Sequence, residues 1–223
     1  MGFLTIGQAP RPDLSGAIEA ALPPGVATRH AGALDEVDRA TAERLYGAVA
    51  GRPTLITKLA DGQSITLDAD AVSSGLQERL TELEDAGCDV VVVLCTGEFP
   101  GLRARRARLI EPDALITTYV STMLAGAPVG VVVPLPEQVA EARDKWGRLD
   151  PAPLFATGSP YADDTTGLVA AAHDLVGAGA QAVVLDCMGY ADRHRDAVRA
   201  GGVAVPVLTS GAITGAWTGL LLG

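Results

Sequence analysis

The chain has 223 residues, of which 48% are hydrophobic and 20% charged, and its formal net charge is −10. This composition is typical of an ordered globular protein with one large domain or two smaller ones. Because nucleic acids and anionic membranes bind clustered Lys and Arg, the charge argues against both as partners.

The N-terminal segment MGFLTIGQAPRPD lacks the basic and apolar regions of a secretory signal. No later apolar run approaches the roughly 20 residues that span a bilayer. Three cysteines are a poor disulfide framework, so reduced thiols are expected. These features predict a cytoplasmic protein.

Short β-branched runs alternate with amphipathic stretches along the chain. The clearest helical pattern covers residues 71–86, where apolar side chains recur every three or four positions. Strands separated by helices predict a parallel sheet covered on both faces, the α/β class. The predicted strands are residues 2–6, 54–57, 89–94, 129–133, 182–185 and 203–208.

Three segments depart from this alternation. Residues 58–70 place Asp61-Gly62 between short alternating stretches, which is typical of a β-hairpin. Residues 148–166 are rich in turn formers and predict a strand around Leu154 followed by a loop. The apolar stretch 212–222 predicts a helix, packed either within its own lobe or at the seam of a homodimer.

An internal repeat is the most informative feature. AGCDVVVVLCTGE (86–98) aligns without gaps with AGAQAVVLDCMGY (178–190), and it pairs Cys95 with Cys187 at an offset of 187 − 95 = 92 residues. Each segment has Gly at a helix end, a buried strand and then Cys. Ligands of open α/β sheets bind at the carboxyl ends of the strands.

The repeat predicts two pseudo-symmetric, Rossmann-like lobes with parallel sheets and a cleft between them. We assign residues 1–112 with 209–223 to the first lobe, which carries the hairpin near 58–70. The second lobe takes residues 113–208.

Each paired cysteine is predicted to precede a helix, 98–108 after Cys95 and 191–200 after Cys187. The N–H groups and dipole of such a helix favour the thiolate, the reactive form. Most cysteines outside disulfides are instead small buried hydrophobic residues. Their matched positions in a repeat favour a catalytic pair.

Several segments spread over nearly the whole chain match a known family: LTIGQAPR (4–11), YVSTML (119–124), GVVVPLPEQ (130–138), KW (145–146), LDCMGY with the following RHRD (185–196) and VPVLTS (205–210). In these segments the chain resembles the AroM family, a branch of the aspartate/glutamate (hydantoin) racemase superfamily. The resemblance implies a cofactor-independent enzyme whose two thiols flank the substrate's α-carbon, one removing a proton and the other returning one.

The chain departs from amino-acid racemases beside the thiols. Those enzymes resemble one another in having Asn-Thr after the first Cys and Thr, often with His, after the second. Here the corresponding pairs are Thr96-Gly97 and Met188-Gly189. The side chains that hold an amino-acid carboxylate are thus partly missing.

Substrate-binding candidates follow strands or lie within the matching segments. Gln8 offers a donor and an acceptor and Arg11 a bidentate clamp, although both belong to a loop stiffened by proline. The hydroxyls of YVST donate either to a carboxylate or to their own helix backbone. The complete set is Gln8, Arg11, Thr96, Gly97, Ser121, Thr122, Met188 and Gly189.

Two further side chains are candidates for assisting proton transfer. Glu98 lies three residues after Cys95, and the alternative for it is a charge that stabilises a helix N-terminus. His194 lies in the helix predicted after Cys187, and the alternative for it is a packing or surface role.

No motif indicates a bound cofactor or metal. There is no Walker loop, and Cys88, His30 and His173 lack the spacing of zinc ligands. GAGAQA (177–182) precedes its strand, where a dinucleotide-binding loop would follow one.

The sequence therefore predicts a cofactor-independent racemase or isomerase that acts on a small carboxylate. Two alternatives stay open. One is single-thiol chemistry, as in related isomerases and decarboxylases. The other is a non-catalytic binding or regulatory protein that keeps the fold.

Overall fold

The structure, a computed structural model, describes residues 1–223 as alternating strands and helices. The strands are β1 (Gly2–Thr5), β2 (Arg29–Gly32), β3 (Thr54–Lys58), β4 (Ser64–Asp68), β5 (Val90–Val93), β6 (Arg108–Ile110), β7 (Val129–Val133), β8 (Leu154–Thr157), β9 (Ala182–Leu185) and β10 (Val207–Thr209). The helices are α1 (Pro12–Glu19), α2 (Arg39–Tyr46), α3 (Ala69–Asp85), α4 (Pro112–Met123), α5 (Val139–Lys145), α6 (Thr166–Gly177), α7 (Asp192–Ala200) and α8 (Ser210–Leu222), with a 3-10 turn at Pro136–Gln138.

The chain divides into two compact units. The first contains Met1–Ser15 and Pro23–Asp113. The second contains Gly16–Leu22 and Ala114–Gly223.

The C-terminal segment 209–223 groups with the second unit, which differs from the predicted boundaries. Strand β10 pairs with β9, and Ile213 of α8 packs in the same core cluster as Val184. The sequence pattern predicted the helix but gave no information about the sheet it covers. Neither α8 nor any other helix combines the length and apolar character that crossing a bilayer requires.

Both units contain a four-stranded sheet with all strands parallel. The order is β2-β1-β5-β6 in the first unit and β8-β7-β9-β10 in the second. If the strands of each parallel sheet are numbered in chain order, the spatial order is second, first, third, fourth in both sheets, so the two topologies are the same. The predicted α/β class with two parallel sheets is confirmed.

The internal repeat is also a structural repeat. Strands β5 and β9 begin 182 − 90 = 92 residues apart, the same offset as the two cysteines. The preceding helices, α3 and α6, are each followed two residues later by a glycine, Gly87 and Gly179, whose φ angles are 86° and 105°. The next residue donates its N–H to the carbonyl five residues back, at 3.0 Å in both units. This helix ending favours glycine because other residues rarely adopt a positive φ.

Helix α3 shows why the sequence pattern was informative. Val72, Leu76, Leu80 and Leu83 are all buried, as their spacing predicts. Burying each such side chain contributes about 1.5–3 kcal/mol relative to leaving it exposed. The carboxylate of Asp68 accepts from an N–H of the first turn, so the helix begins two residues before the predicted start.

The predicted hairpin is present, although its first strand was placed differently. Strands β3 and β4 pair antiparallel, and the turn at Asp61-Gly62 has Gly62 at a φ of 80°. The run 54–57 was predicted as a strand of the parallel sheet. It belongs to the hairpin because Thr54 pairs with Asp68.

The helix predicted at residues 98–108 is absent. This stretch contains turns and an extended segment that leads into β6. Pro100 and Gly101 disfavour a helix. The carboxylate of Glu84 also accepts the N–H groups of residues 105–107, at 2.6–2.9 Å, and thereby holds them in a non-helical conformation.

Candidate functional site

The two paired cysteines occupy equivalent places in their sheets. Cys95 follows the last residue of β5 by two positions, and Cys187 follows β9 in the same way. In chain order both strands are the third of their parallel sheet, and they lie beside its first strand. In sheets of this order, ligands bind at the carboxyl ends of those neighbouring strands. Each thiol therefore lies where its own sheet is expected to bind a ligand.

A backbone N–H points at each sulfur. The Gly97 N–H donates to Cys95 Sγ at 3.4 Å, and the Gly189 N–H donates to Cys187 Sγ at 3.4 Å. A donor directed at sulfur stabilises negative charge on it. The predicted helix dipole does not act at Cys95, because no helix begins there, so this N–H is the shared electrostatic feature.

Both donor glycines are confined by their surroundings. A methyl group built on Gly97 would lie 2.8 Å from Leu55 Cδ2. One built on Gly189 would lie 2.8 Å from the Tyr161 hydroxyl and 2.9 Å from Pro160 Cγ. Larger residues at either place would displace these groups, which explains the glycine in both repeats.

The surroundings of the two thiols differ in polarity. Cys95 is buried, follows the buried Leu94 and lies near the side chains that enclose Gly97. Cys187 is half-buried and follows Asp186, a buried carboxylate. Leu94 and Asp186 are equivalent positions of the repeat, because 186 − 94 = 92.

Asp186 is held by two neighbouring residues of the segment KW. Lys145 Nζ lies 2.9 Å from one carboxylate oxygen, and Trp146 Nε1 donates to the other at 2.7 Å. Both partners are largely buried. Lys145 therefore compensates the charge of Asp186, and the pair orients the residue that precedes Cys187.

Tyr190 and His194 stabilise the turn that follows Cys187. The buried Tyr190 hydroxyl donates to the backbone carbonyl of Gly158, and its ring meets that of His194 edge-on at 5.7 Å. Burial, reinforced by Cys187 and Asp186, raises the pKa of Tyr190 well above its ordinary value. His194 Nδ1 accepts from the Ala191 N–H at 3.0 Å, so this side chain caps the start of α7.

Gln8 bridges two backbone segments of the first unit. Its Nε2 donates to the Val37 carbonyl at 2.8 Å, and its Oε1 accepts from the Ala60 N–H at 2.6 Å. Both ends of the amide are thus used to join the loop after β1 to the hairpin. Substrate binding by Gln8 stays a prediction, and these bonds oppose it.

Arg11 is buried and bound within the first unit. Its guanidinium forms two bonds to Asp13, at 2.7 and 2.8 Å, and donates to Thr57 Oγ1 at 2.8 Å. Burial alone would raise the pKa of Asp13, but Arg11 overcomes this effect and lowers it. The predicted clamp on a substrate carboxylate is therefore already engaged by a carboxylate of the protein.

The remaining candidates lie in varied surroundings. Ser121 and Thr122 are exposed, and both donate to the carbonyl of Thr118 in their own helix, the alternative that their pattern allowed. Thr96 is half-buried, Met188 is buried and Glu98 is exposed.

Sequence patterns did not predict two residues at these strand ends. Tyr161 lies over Gly189, but it belongs to a loop whose fold no periodicity reveals. Glu111 directly follows β6 and is half-buried. Burial raises the pKa of Glu111, Arg103 opposes this shift, and Asp113 and Glu98 reinforce it.

No group of three or more His, Cys, Asp or Glu side chains is arranged to hold a metal ion.

A protein-family model described as "AroM protein" matches residues 1–217 of the chain. The chain belongs to the AroM family. Comparison of this AroM chain with curated proteins gives no match.

Solved structures with the same fold include enzymes of several activities. A glutamate racemase from Bacillus anthracis is 14% identical with a TM-score of 0.65, covering 99% of the AroM chain and 80% of its own. An arylmalonate decarboxylase is 15% identical, with a TM-score of 0.61 and coverages of 99% and 91%. A maleate isomerase from Pseudomonas putida is 15% identical, with a TM-score of 0.52 and coverages of 96% and 90%. At these identities the likeness shows the racemase-superfamily fold.

Proposed function

We propose that this AroM protein is a cofactor-independent racemase- or isomerase-like enzyme that acts on a small carboxylate through Cys95 and Cys187. One observation carries the proposal. Both cysteines follow the third strand of a parallel sheet by two residues, and each sulfur accepts an N–H from the glycine two positions later, at 3.4 Å.

In the proposed reaction the two thiols exchange roles with each turnover. The thiolate of one cysteine removes the proton from the substrate's α-carbon, and the electron pair of that C–H bond passes into the carboxylate. The thiol of the other cysteine then gives its proton to the same carbon. One turnover gives the opposite enantiomer of the substrate and leaves the negative charge on the other sulfur. N–H groups directed at both sulfurs suit this exchange, because each sulfur is charged in turn.

Single-thiol chemistry is the second candidate, and the unequal surroundings of the thiols favour it. Cys187 follows a charged residue paired with Lys145, whereas Cys95 follows a leucine. An exchange in which the two thiols play equal roles needs no difference between their surroundings. A reaction in which one thiol always donates the proton calls for different surroundings at the two thiols. The decarboxylase among the proteins of this fold is an enzyme of another reaction type.

Deuterium exchange tests the proposal over a range of small acids. The protein is incubated in deuterated water with a panel of amino, hydroxy and malonic acids, and deuterium at the α-carbon is measured. We expect exchange with at least one acid. Thermal stabilisation by some acids together with exchange by none would contradict the proposal and would indicate a non-catalytic binding protein.

Cys88 provides the matched control for the thiols. It is buried before β5, in the same unit as Cys95, and does not lie at the carboxyl end of a strand. We expect Cys88→Ala to keep the exchange and the double variant Cys95→Ala, Cys187→Ala to lose it. Exchange that survives in the double variant would contradict the thiol mechanism.

A further inference from the structure

The loop after β8 covers the turn that follows Cys187. The Tyr190 hydroxyl donates to the carbonyl of Gly158, which fastens the start of this loop to the turn. Farther along, the Tyr161 hydroxyl and the buried Pro160 ring lie directly over Gly189, at 2.8 and 2.9 Å from a methyl group built there. The phenol group of Tyr161 is therefore beside the glycine that donates to Cys187 Sγ.

The loop conformation holds Tyr161 in this place. Its N–H donates to Ser159 Oγ at 3.1 Å, and the preceding proline fixes the backbone between them. Tyr161 as a whole is half-buried. A hydroxyl held in this way is a preorganised hydrogen-bond donor.

In the first unit the side-chain atoms nearest a methyl group built on the equivalent glycine belong to Leu55, Cys95 and Phe99, and the hydroxyl of that turn is that of Thr96. A methyl group built on Gly97 would meet Leu55 Cδ2 at 2.8 Å and Phe99 Cζ at 3.7 Å, both apolar. The phenol thus distinguishes the turn of Cys187 from that of Cys95. Tyr161 brings a hydroxyl to the turn in which a methionine, Met188, follows Cys187.

The carboxylate that precedes Cys187 is compensated by a neighbouring lysine. Asp186 is the carboxylate closest in sequence, and both of its oxygens are engaged by Lys145 and Trp146. We infer that the Tyr161 hydroxyl donates a hydrogen bond to the carboxylate of the substrate beside Cys187. This inference rests on the proposed function for the class of ligand, and it makes Tyr161 a specificity-determining residue.

Alkylation of Cys187 tests the inference without any turnover. Iodoacetate carries a carboxylate next to its reactive carbon, whereas iodoacetamide is its neutral counterpart. In both reactions sulfur forms a bond to the CH₂ carbon, iodide leaves with the electron pair of the carbon–iodine bond, and the thiol proton passes to solvent. Peptide mapping of the full chain measures the rate at Cys187 with each reagent.

The expected result is a rate ratio of iodoacetate to iodoacetamide that exceeds the ratio for 2-mercaptoethanol, a neutral thiol. Tyr161→Phe should lower that ratio by about tenfold or more, as expected for one hydrogen bond to a charged group. Tyr119→Phe is the matched control, because its ring packs against the core cluster of Ile116 and Val120, which is not the cluster that Cys187 joins. It should leave the ratio unchanged.

Three results would overturn the inference: a wild-type ratio no higher than that of 2-mercaptoethanol, an equal ratio in Tyr161→Phe, or a Cys187 that reacts with neither reagent. The first and third need no variant, so poor folding of Tyr161→Phe would not protect the inference. If the preference for iodoacetate depends on Tyr161 but no acid shows deuterium exchange, the proposed reaction is contradicted and the carboxylate site is supported.

Discussion

Gly189 combines two constraints that a larger residue cannot satisfy. Its N–H donates to Cys187 Sγ, and its Cα faces Tyr161 and Pro160 at close range. Gly97 has the same donor role, but the nearest atom there is the end of a flexible leucine side chain. The two glycines therefore have the same donor role, but Gly97 should tolerate a larger side chain better than Gly189.

We expect Gly189→Ala to destabilise the protein by about 1–3 kcal/mol, the usual cost of overpacking. Gly97→Ala should cost less, because Leu55 can change its rotamer whereas the proline ring cannot. Gly167→Ala in α6 is the control, since nothing lies within 4 Å of the added methyl group. Urea unfolding measures all three, and a Gly97→Ala variant less stable than Gly189→Ala would contradict this account.

At the level of single residues, the sequence predicted positions better than partners. The strand-end placement of Cys95 and Cys187 followed from the repeat, which relates sequence positions directly. The partners of Gln8 and Arg11 did not follow, because Ala60 and Thr57 are 52 and 46 residues away. A polar side chain after a strand binds either a ligand or a distant part of its own chain, and no sequence period distinguishes these outcomes.

Among the elements, the stretch between Cys95 and β6 shows most clearly how a buried charge replaces regular structure. Glu84 of α3 is fully buried and accepts three backbone N–H groups of residues 105–107. Burial opposes ionisation, but these bonds and the Arg105 side chain outweigh it and lower the pKa of Glu84 to about 2. The carboxylate thereby connects the helix before Cys95 to the strand after it.

Glu84→Gln should lower the free energy of unfolding by roughly 3 kcal/mol at neutral pH, because a buried network loses its charge. Since the folded pKa lies below the ordinary 4.5, the contribution is complete above pH 4.5 and is lost as pH falls towards about 2. The difference between wild type and variant should therefore shrink over that range. Urea unfolding at several pH values measures it.

Glu82→Gln is the control for this prediction. Glu82 lies on the same helix, is half-exposed and pairs only with Arg79 at the surface. Its loss should cost about 0.5 kcal/mol or less. Equal costs for the two variants, or a Glu84→Gln cost independent of pH, would contradict the role assigned to Glu84.

The elements that the sequence predicted closely are those with a strong apolar pattern. Helix α3 buries side chains at helical spacing, whereas every residue of β7 and β9 is buried, which gives continuous apolar runs. Residues 98–108 were wrongly predicted as a helix, because the bonds that shape them come from Glu84, which lies in a different element. Strands β2 and β6 were missed, since they are partly exposed and lack a continuous buried run.

At the scale of the whole molecule, two units with the same strand order carry the same cysteine-glycine turn. The repeat in the sequence was sufficient to predict this duplication. It could not predict that residues 209–223 group with the second unit, because that depends on which sheet the last strand joins. The duplication gives this AroM protein two equivalent thiol positions in unequal surroundings.

The homodimer suggested by the apolar C-terminal stretch stays a prediction. Trp217, Leu220 and Leu221 of α8 are exposed by 49%, 78% and 46%. Sedimentation velocity measures the mass directly, and a dimer of the 22.8 kDa chain is the expected species. A single monomer species at high protein concentration would contradict the prediction.

The most direct test of the paired-thiol mechanism compares the single variants Cys95→Ala and Cys187→Ala. With an acid that the wild-type protein exchanges, each enantiomer is incubated separately, and conversion to the other enantiomer is followed together with deuterium uptake. If both thiols act as acid and base, each variant should lose conversion by at least about 100-fold in both directions, the usual contribution of one such group. Conversion at a wild-type rate in either variant would contradict the paired mechanism and assign the chemistry to one thiol.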